Sequence, residues 1–247
     1  MADSSVSVTS SLEALTREYR AITHNLANAN TPGFKRTRTS FRQLLDTEVA
    51  RPAAPNETAP TKIDTLHQTD FAQGMLTQTG RSLDVALEGN GLFVVSTPQG
   101  PLYTRAGKFR TNAERQLVDG AGQTVQGGGG PITIPAGRSA EDVTVGTDGT
   151  VGVDGQQIGK LSVVVPKDPS QLVPVGAGRY RMAPEGEVSD AAPKDFRIHQ
   201  GFVESSNVSV VEELVGLITV TRLYEANLKS ISMQDEAAKQ IVQVAMP

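Results

Sequence analysis

The last forty residues carry the pattern that most constrains how this 247-residue chain can fold. No proline occurs from residue 207 to residue 246, and apolar residues recur there at alternating steps of three and four. This heptad spacing predicts an amphipathic helix that needs a partner along one side. The seam, which includes two polar members, is Leu214, Leu217, Thr221, Tyr224, Leu228, Ile231, Asp235, Ala238, Val242 and Ala245.

A shorter stretch near the N-terminus has the same spacing and predicts a second helix over residues 12–29. Its seam is Leu12, Leu15, Tyr19, Ile22, Leu26 and Ala29. Pro32 and Gly33 end this helix. We expect Asn25, Asn28 and Asn30 to bond backbone groups at the helix end and in the turn. Residues 1–11 are small and polar, and we expect them to be disordered until bound.

The two predicted helices differ in length, which bears on what covers them. At 1.5 Å per residue the first spans roughly 30 Å and the last roughly 57 Å, so the overhang is roughly 25 Å. We expect the helices to pair and the overhanging apolar positions to be buried against other copies of the chain. The alternative is packing on the chain's own central domain. The predicted assembly interface is Leu12, Leu15, Tyr19, Ile22, Leu26, Asn28, Leu214, Leu217, Tyr224, Leu228 and Ile231.

Short alternating strands fill the middle of the chain from Leu83 onward. Asn90-Gly91 predicts a hairpin, and turns are also predicted at residues 98–100, 119–120, 148–149 and 154–155. Turns this frequent are typical of an antiparallel sandwich or barrel. Residues 46–62, which hold three prolines, predict an extended linker. The expected fold is therefore mixed α and β, with paired N- and C-terminal coiled-coil helices and a central antiparallel all-β domain.

This reading divides the chain into four parts. They are an N-terminal helix (1–33), an extended linker region (34–82), a central β domain (83–200) and a C-terminal helix (201–247).

Composition and motifs exclude most chemistry. The net charge of -4 and the 4% aromatic content argue against a nucleic-acid partner. No cysteine is present, the three histidines are far apart, and the glycine-rich turns precede strands rather than helices. No apolar run is long enough to insert in a membrane. The basic patch at Lys35, Arg36, Arg38 and Arg42 predicts a solvated or subunit-facing surface. We expect no catalytic residue, no metal and no cofactor.

Four sequence blocks together carry a family resemblance. The blocks are HNLANANTPGFK (residues 24–35), DVALEGNGLF (84–93), YTRAGKF (103–109) and GFVESSNV (201–208). The last is followed by Glu212-Glu213-Leu214, with Arg222, Tyr224 and Glu225 further along the helix. In this order they resemble the bacterial flagellar basal-body rod and hook proteins.

The resemblance implies a non-enzymatic structural subunit of the flagellar rod. It implies passage through the flagellar type III export apparatus without a cleaved signal peptide, followed by helical packing in the periplasm. The terminal helices would form an inner tube that transmits motor torque, and the sheet domain an outer layer. The implied partners are further copies and other flagellar rod and hook proteins.

Two segments point to different members of that family. The run FKRTRTSFRQLL (residues 34–45) is similar to the distal rod protein, whereas GPITIP (130–135) is similar to the proximal one. Both remain open, and the size excludes a full-length hook protein. Residues 1–11 depart from the family pattern because they are rich in Ser and Thr rather than apolar.

Two further classes remain as alternatives to a rod subunit. One is a β-domain enzyme or carbohydrate-binding module with a coiled-coil oligomerisation stem, for which the discriminating feature is a deep polar pocket within residues 83–182. The other is a soluble dimeric coiled-coil adaptor.

Overall fold

The structure, a computed structural model, describes residues 2–44 and 62–245. Residues 46–61 of the predicted proline-containing linker (46–62) lie outside the described residues. The helices are α1 (Ala2–Ala27) and α2 (Val210–Ala245). The strands are β1 (Thr37–Leu44), β2 (Lys62–Thr69), β3 (Leu76–Gln78), β4 (Val85–Gly89), β5 (Leu92–Thr97), β6 (Gly100–Thr104), β7 (Arg110–Thr111), β8 (Leu117–Val118), β9 (Thr124–Gly127), β10 (Gly130–Pro131), β11 (Val143–Val145), β12 (Thr150–Val153), β13 (Gln156–Lys160), β14 (Val163–Pro166), β15 (Leu172–Gly176), β16 (Arg179–Met182), β17 (Val188–Asp190), β18 (Phe196–Gln200) and β19 (Phe202–Glu204).

The chain divides into two compact units. The helical unit consists of Met1–Ala27, Thr37–Gln68 and Ser209–Pro247, and the sheet unit consists of Asn28–Arg36 and Thr69–Val208. The mixed α and β composition predicted from the sequence is confirmed. Three strands, β1, β2 and β3, lie within the region 34–82 that the sequence suggested was extended linker.

The helical unit contains α1, α2 and the paired strands β1 and β2. The helix α1 begins at Ala2, not near residue 12, so the expected disorder of residues 1–11 is not what the structure has. Neither glycine nor proline occurs before Pro32, so no strong helix breaker interrupts this stretch. With 26 residues in α1 and 36 in α2, the difference in length is roughly 15 Å rather than roughly 25 Å.

The sheet unit is built from antiparallel pairings. Its largest sheet has ten strands, with the main path β15-β16-β6-β5-β9-β8-β7 and with β10, β14 and β17 paired at its sides. A three-stranded sheet follows the order β11-β12-β13, and two strand pairs, β18-β4 and β19-β3, complete the unit. The predicted antiparallel β domain is thus present in the structure.

Most of the predicted turns join neighbouring paired strands. The turn at Asp154-Gly155 joins β12 to β13 with both residues at positive φ, 51° and 77°, as a tight hairpin requires. The hairpin predicted at Asn90-Gly91 is wrong, because β4 pairs with β18 and β5 pairs with β6, β9 and β14. Long-range strand pairing therefore overrides the local turn signal at this position.

The core of the sheet unit consists of two clusters of buried apolar side chains. The larger cluster includes residues of β4 and β5, and within it the rings of Phe93 and Phe109 meet edge to face with centroids 5.3 Å apart. A second cluster is formed by Leu92, Tyr103, Val164, Leu172 and Tyr180. The second cluster buries the Tyr180 ring, and this burial raises the pKa of its hydroxyl.

Candidate assembly surface

The helices α1 and α2 contact each other in opposite directions. Near the end of α1, the Asn25 amide donates to Glu213 Oε1 at 3.3 Å, at the start of α2. One turn earlier in α1, Ile22 lies against Gly216, where an added Cβ would be 3.3 Å from Ile22 Cδ1. Further along, Leu15, Thr16 and Tyr19 share a shallow groove with Val220, Thr221 and Tyr224. Because the α2 contacts advance as the α1 contacts recede, the two helices are antiparallel.

The buried face of α2 is displaced by one residue from the predicted seam. Glu213 and Val220 are buried, whereas the seam positions Leu214 and Thr221 beside them are exposed. Glu213 occupies the buried position because it meets the Asn25 amide. The heptad pattern gave no signal for this, since it ranks a glutamate as polar and therefore external.

The predicted interface residues fall into three levels of burial in the single chain. Ile22 is buried. The half-buried residues are Leu12, Leu15, Leu26, Asn28, Leu217 and Ile231. The exposed residues are Tyr19, Leu214, Tyr224 and Leu228.

Large apolar side chains remain uncovered along much of α2. The exposed ones are Val210, Val211, Leu214, Val215, Ile218, Leu223, Tyr224, Leu228 and Met233. Each is at least 39% exposed, and Val211 reaches 72%. Scattered single apolar residues are ordinary on a protein surface, but a helix that exposes this many in succession marks an interaction face.

The predicted role of Asn25, a side chain that bonds backbone groups, is confirmed. The Asn25 side chain pairs with the backbone of Thr37 in both directions, donating to its carbonyl and accepting from its N–H at 2.9 Å each. Asn28 accepts from Thr31 with both its carbonyl and its side-chain oxygen. Asn30 is exposed.

A buried charge cluster lies in the sheet unit, and it centres on the carboxylate of Glu204. This carboxylate accepts from Lys35 Nζ at 2.5 Å, from Arg105 Nε at 2.8 Å and from the Gly74 N–H at 2.9 Å. The Lys35 and Glu204 side chains are fully buried and that of Arg105 is 4% exposed. Burial lowers the pKa of Lys35, and the charge of Glu204 opposes this shift.

The remaining donors of the two cations bind backbone carbonyls. Lys35 Nζ donates to the Ala72 carbonyl at 2.7 Å. Arg105 donates to the carbonyls of Leu87 and Gly89, in the second half of β4, and of Gly91, in the turn before β5. One carboxylate cannot neutralise two cations, and the backbone carbonyls stabilise the remaining positive charge by accepting hydrogen bonds.

This cluster joins all four sequence blocks that carry the family resemblance. Lys35 comes from the first, the accepting carbonyls from the second, Arg105 from the third and Glu204 from the fourth. The basic pattern predicts Lys35 on a solvated or subunit-facing surface, which is wrong for this buried residue, and no pattern in the sequence assigns a role to Arg105 or Glu204. The available signal was that Lys35 and Glu204 each directly follow large apolar residues, Phe34 and Val203.

Close backbone packing surrounds the cluster. Gly33 has φ of +70°, and an added Cβ would be 2.4 Å from the backbone nitrogen of Ala106. Its N–H donates to the Glu204 carbonyl at 2.7 Å. A Cβ at Gly107 would be 1.7 Å from the Val85 carbonyl oxygen. Only glycine fits where the blocks approach this closely.

Two other classes of site do not occur in the described part of the chain. None of the described histidine, aspartate and glutamate side chains form a group of three or more that could hold a metal ion. Neither α1 nor α2, over its described residues, is long and apolar enough to cross a membrane.

A sheet unit with a complete core, joined in sequence to a helical unit that exposes an apolar face, defines the class of assembly proteins. Comparison with known protein families identifies the family within this class. Residues 86–153 match the family described as flagellar hook protein FlgE/F/G D1 domain, and residues 199–244 match the flagellar basal body rod FlgEFG protein C-terminal family.

Whole-length relatives agree with these matches. The flagellar basal-body rod protein FlgF of Caulobacter vibrioides is 38% identical over 236 residues, covering 93% of this chain and 92% of that protein. The flagellar basal-body rod protein FlgG of Bacillus subtilis is 33% identical over 248 residues, covering 90% of each. The chain belongs to the family of flagellar basal-body rod proteins, which confirms the resemblance seen in the sequence blocks.

Proposed function

We propose that this chain is a non-enzymatic structural subunit of the bacterial flagellar basal-body rod. It self-assembles through its terminal helices into a helical tube that transmits motor torque. The observation that carries this proposal is the row of exposed apolar side chains on α2, which only another protein surface can cover. Membership of a family of structural rod proteins supports the same conclusion and removes the reason for an enzyme or carbohydrate-binding module.

In the proposed assembly, α1 and α2 form an antiparallel coiled-coil pair within each subunit. The Asn25–Glu213 contact and the packing of Ile22 on Gly216 fix the register of the pair. The exposed members of the predicted seam, including Leu214, Tyr224 and Leu228, then face neighbouring subunits. Contacts between unlike surfaces of identical copies do not close into a ring when the rotation is open, so they extend into a helical filament.

The proposed location is the periplasmic rod of the basal body. The subunit reaches it through the flagellar type III export apparatus and contacts other rod and hook proteins there. The FlgF and FlgG relatives, which are named as basal-body rod proteins, support this location.

The experiment compares two aspartate substitutions on α2 that add the same charge. Leu228 is 45% exposed and belongs to the seam, whereas Ser230 is exposed outside it. Purified full-length protein is concentrated until the wild type polymerises, and polymers are followed by sedimentation and electron microscopy. We expect Leu228→Asp to abolish polymers and Ser230→Asp to retain them, with equal helix content by circular dichroism. Rods formed by Leu228→Asp would contradict the proposed use of this face.

A further inference from the structure

A cationic cleft in the sheet unit is separate from the helices and from the buried cluster around Glu204. Its volume is about 430 Å³. Its ionisable lining residues are three cations, Lys108, Arg110 and Arg179, and one carboxylate, Asp119. Thr31 and Pro32, from the segment that precedes β1, line it as well.

The one carboxylate in the cleft is already engaged by its own loop. Asp119 Oδ1 accepts the N–H groups of Ala121 at 2.9 Å and Gln123 at 2.8 Å. Its Oδ2 is 3.8 Å from Arg179 Nη1, which is too long for a hydrogen bond. The hydrogen bonds of Asp119 therefore stabilise its own turn and leave the cations of the cleft without a hydrogen-bonded carboxylate.

Arg179 is short of acceptors. Its Nε is buried and has no hydrogen-bond partner among the described residues. A buried guanidinium nitrogen without an acceptor is costly, and guanidinium groups bind carboxylates through paired hydrogen bonds. At the rim, Arg110 Nη2 donates to the Gly120 carbonyl at 2.6 Å, and Lys108 is exposed. The cleft thus has more positive charge than its own residues neutralise.

The walls of the cleft are formed in the single chain. Thr104 Oγ1 donates to the Gly178 carbonyl at 2.9 Å and accepts the Ala106 N–H at 3.1 Å. These bonds hold the turn after β15, which leads into Arg179, against the end of β6.

We propose that this cleft receives a carboxylate side chain from a second copy of the chain. The inference rests on the proposed self-assembly. The chain carries a net charge of -4, yet the cleft residues carry an excess of two positive charges, so the rest of the chain carries -6. Each copy therefore presents one positive concavity and a strongly acidic remainder, which is the complementarity that a contact between unlike surfaces of identical copies needs.

The first test needs no assembly. Full-length protein is titrated with tetraglutamate, and tetraglutamine serves as the neutral probe. We expect tetraglutamate alone to bind, and the double variant Lys108→Gln/Arg110→Gln to bind it at least tenfold more weakly. The matched control, Lys194→Gln/Arg197→Gln, removes two exposed positive charges of the same unit outside the cleft and should bind like the wild type. Equal binding by both double variants would overturn the proposal.

The second test identifies the occupant. The same variants are polymerised, and we expect the cleft variant to raise the protein concentration needed for assembly about tenfold while the control variant leaves it unchanged. Lost tetraglutamate binding with unchanged assembly would overturn the second copy as occupant. A wild-type chain that never polymerises would instead contradict the proposed function, and the peptide titration would still decide whether the cleft binds carboxylates.

Discussion

The two units of this chain differ in how much of their apolar surface they bury within the single chain. In the sheet unit, β4 and β5 lie in an apolar core, and the buried charges of Lys35, Arg105 and Glu204 neutralise each other or bind backbone carbonyls. In the helical unit, α2 leaves a succession of large apolar side chains exposed. A subunit of this kind keeps one region stable on its own and leaves the other to be completed by neighbours.

The largest expected effect on folding follows from removing the central carboxylate of the sheet unit. Glu204→Gln leaves Lys35 and Arg105 buried beside each other without an anion. We expect a loss of about 3–5 kcal/mol in the free energy of unfolding, measured by urea titration with circular dichroism. Glu185→Gln, at an exposed position, should change it by less than about 0.5 kcal/mol. Similar values for both variants would show that the sheet unit does not depend on its buried charges.

The next effect tests backbone packing in the same unit. In Gly107→Ala the new Cβ would meet the Val85 carbonyl oxygen, and the segment after β6 must move away from β4 to admit it. We expect a loss of about 1–3 kcal/mol, seen as a lower melting temperature. Gly129→Ala is the matched control, because no heavy atom lies within 4 Å of its Cβ and its φ is not positive. Equal melting temperatures for the two variants would contradict the tight packing described here.

A smaller effect is expected at Lys35, because Glu204 keeps two other donors when the lysine is removed. Lys35→Met leaves Arg105 and the Gly74 N–H on the carboxylate, so we expect a change of less than about 1 kcal/mol at neutral pH. Comparing the free energies of unfolding of Lys35→Met and Glu204→Gln therefore shows whether the cluster depends more on its carboxylate than on its second cation.

The difference in free energy of unfolding between the wild type and Lys35→Met should change with pH in a definite direction. Burial lowers the pKa of Lys35 below its ordinary value of 10.5. Between the lowered value and 10.5 the unfolded chain binds more protons at this lysine, so its contribution to the free energy of unfolding increases with pH. We expect the wild type to gain stability relative to Lys35→Met as the pH is raised towards 10.5, in urea titrations at successive pH values. A relative loss over that range would mean that the folded state favours the charged lysine.

The smallest effect on folding is expected from Leu228→Asp. The side chain is already exposed, so the free energy of unfolding of the sheet unit should change by less than about 0.5 kcal/mol even though assembly is lost. Val220→Asp, at a position only 3% exposed, should instead destabilise the helical unit. Hydrogen exchange resolved by residue distinguishes the two. If Leu228→Asp reduced the protection of the sheet unit from hydrogen exchange, the sheet unit would not be stable independently of the exposed face of α2.

Local chemistry explains which parts of the fold were predictable. The turn at Asp154-Gly155 was recognisable because its own residues supply the required positive φ. Asn90-Gly91 has the same signal, but its loop is held by Arg105, and β4 pairs with a strand more than a hundred residues later. The buried face of α2 differs from the predicted seam because Glu213 is buried where it meets Asn25, a residue 188 positions away in the chain. The local sequence pattern missed the features that depend on contacts between residues far apart in the chain.

The contact between Lys35 and Glu204 joins residues 169 positions apart. A chain that emerges from the ribosome with its N-terminus first cannot form this contact until residue 204 has been made. Contacts between such distant residues slow folding, because the intervening loop must close first. Late closure lengthens the interval in which the newly made chain remains open, and the export route proposed above requires an open chain.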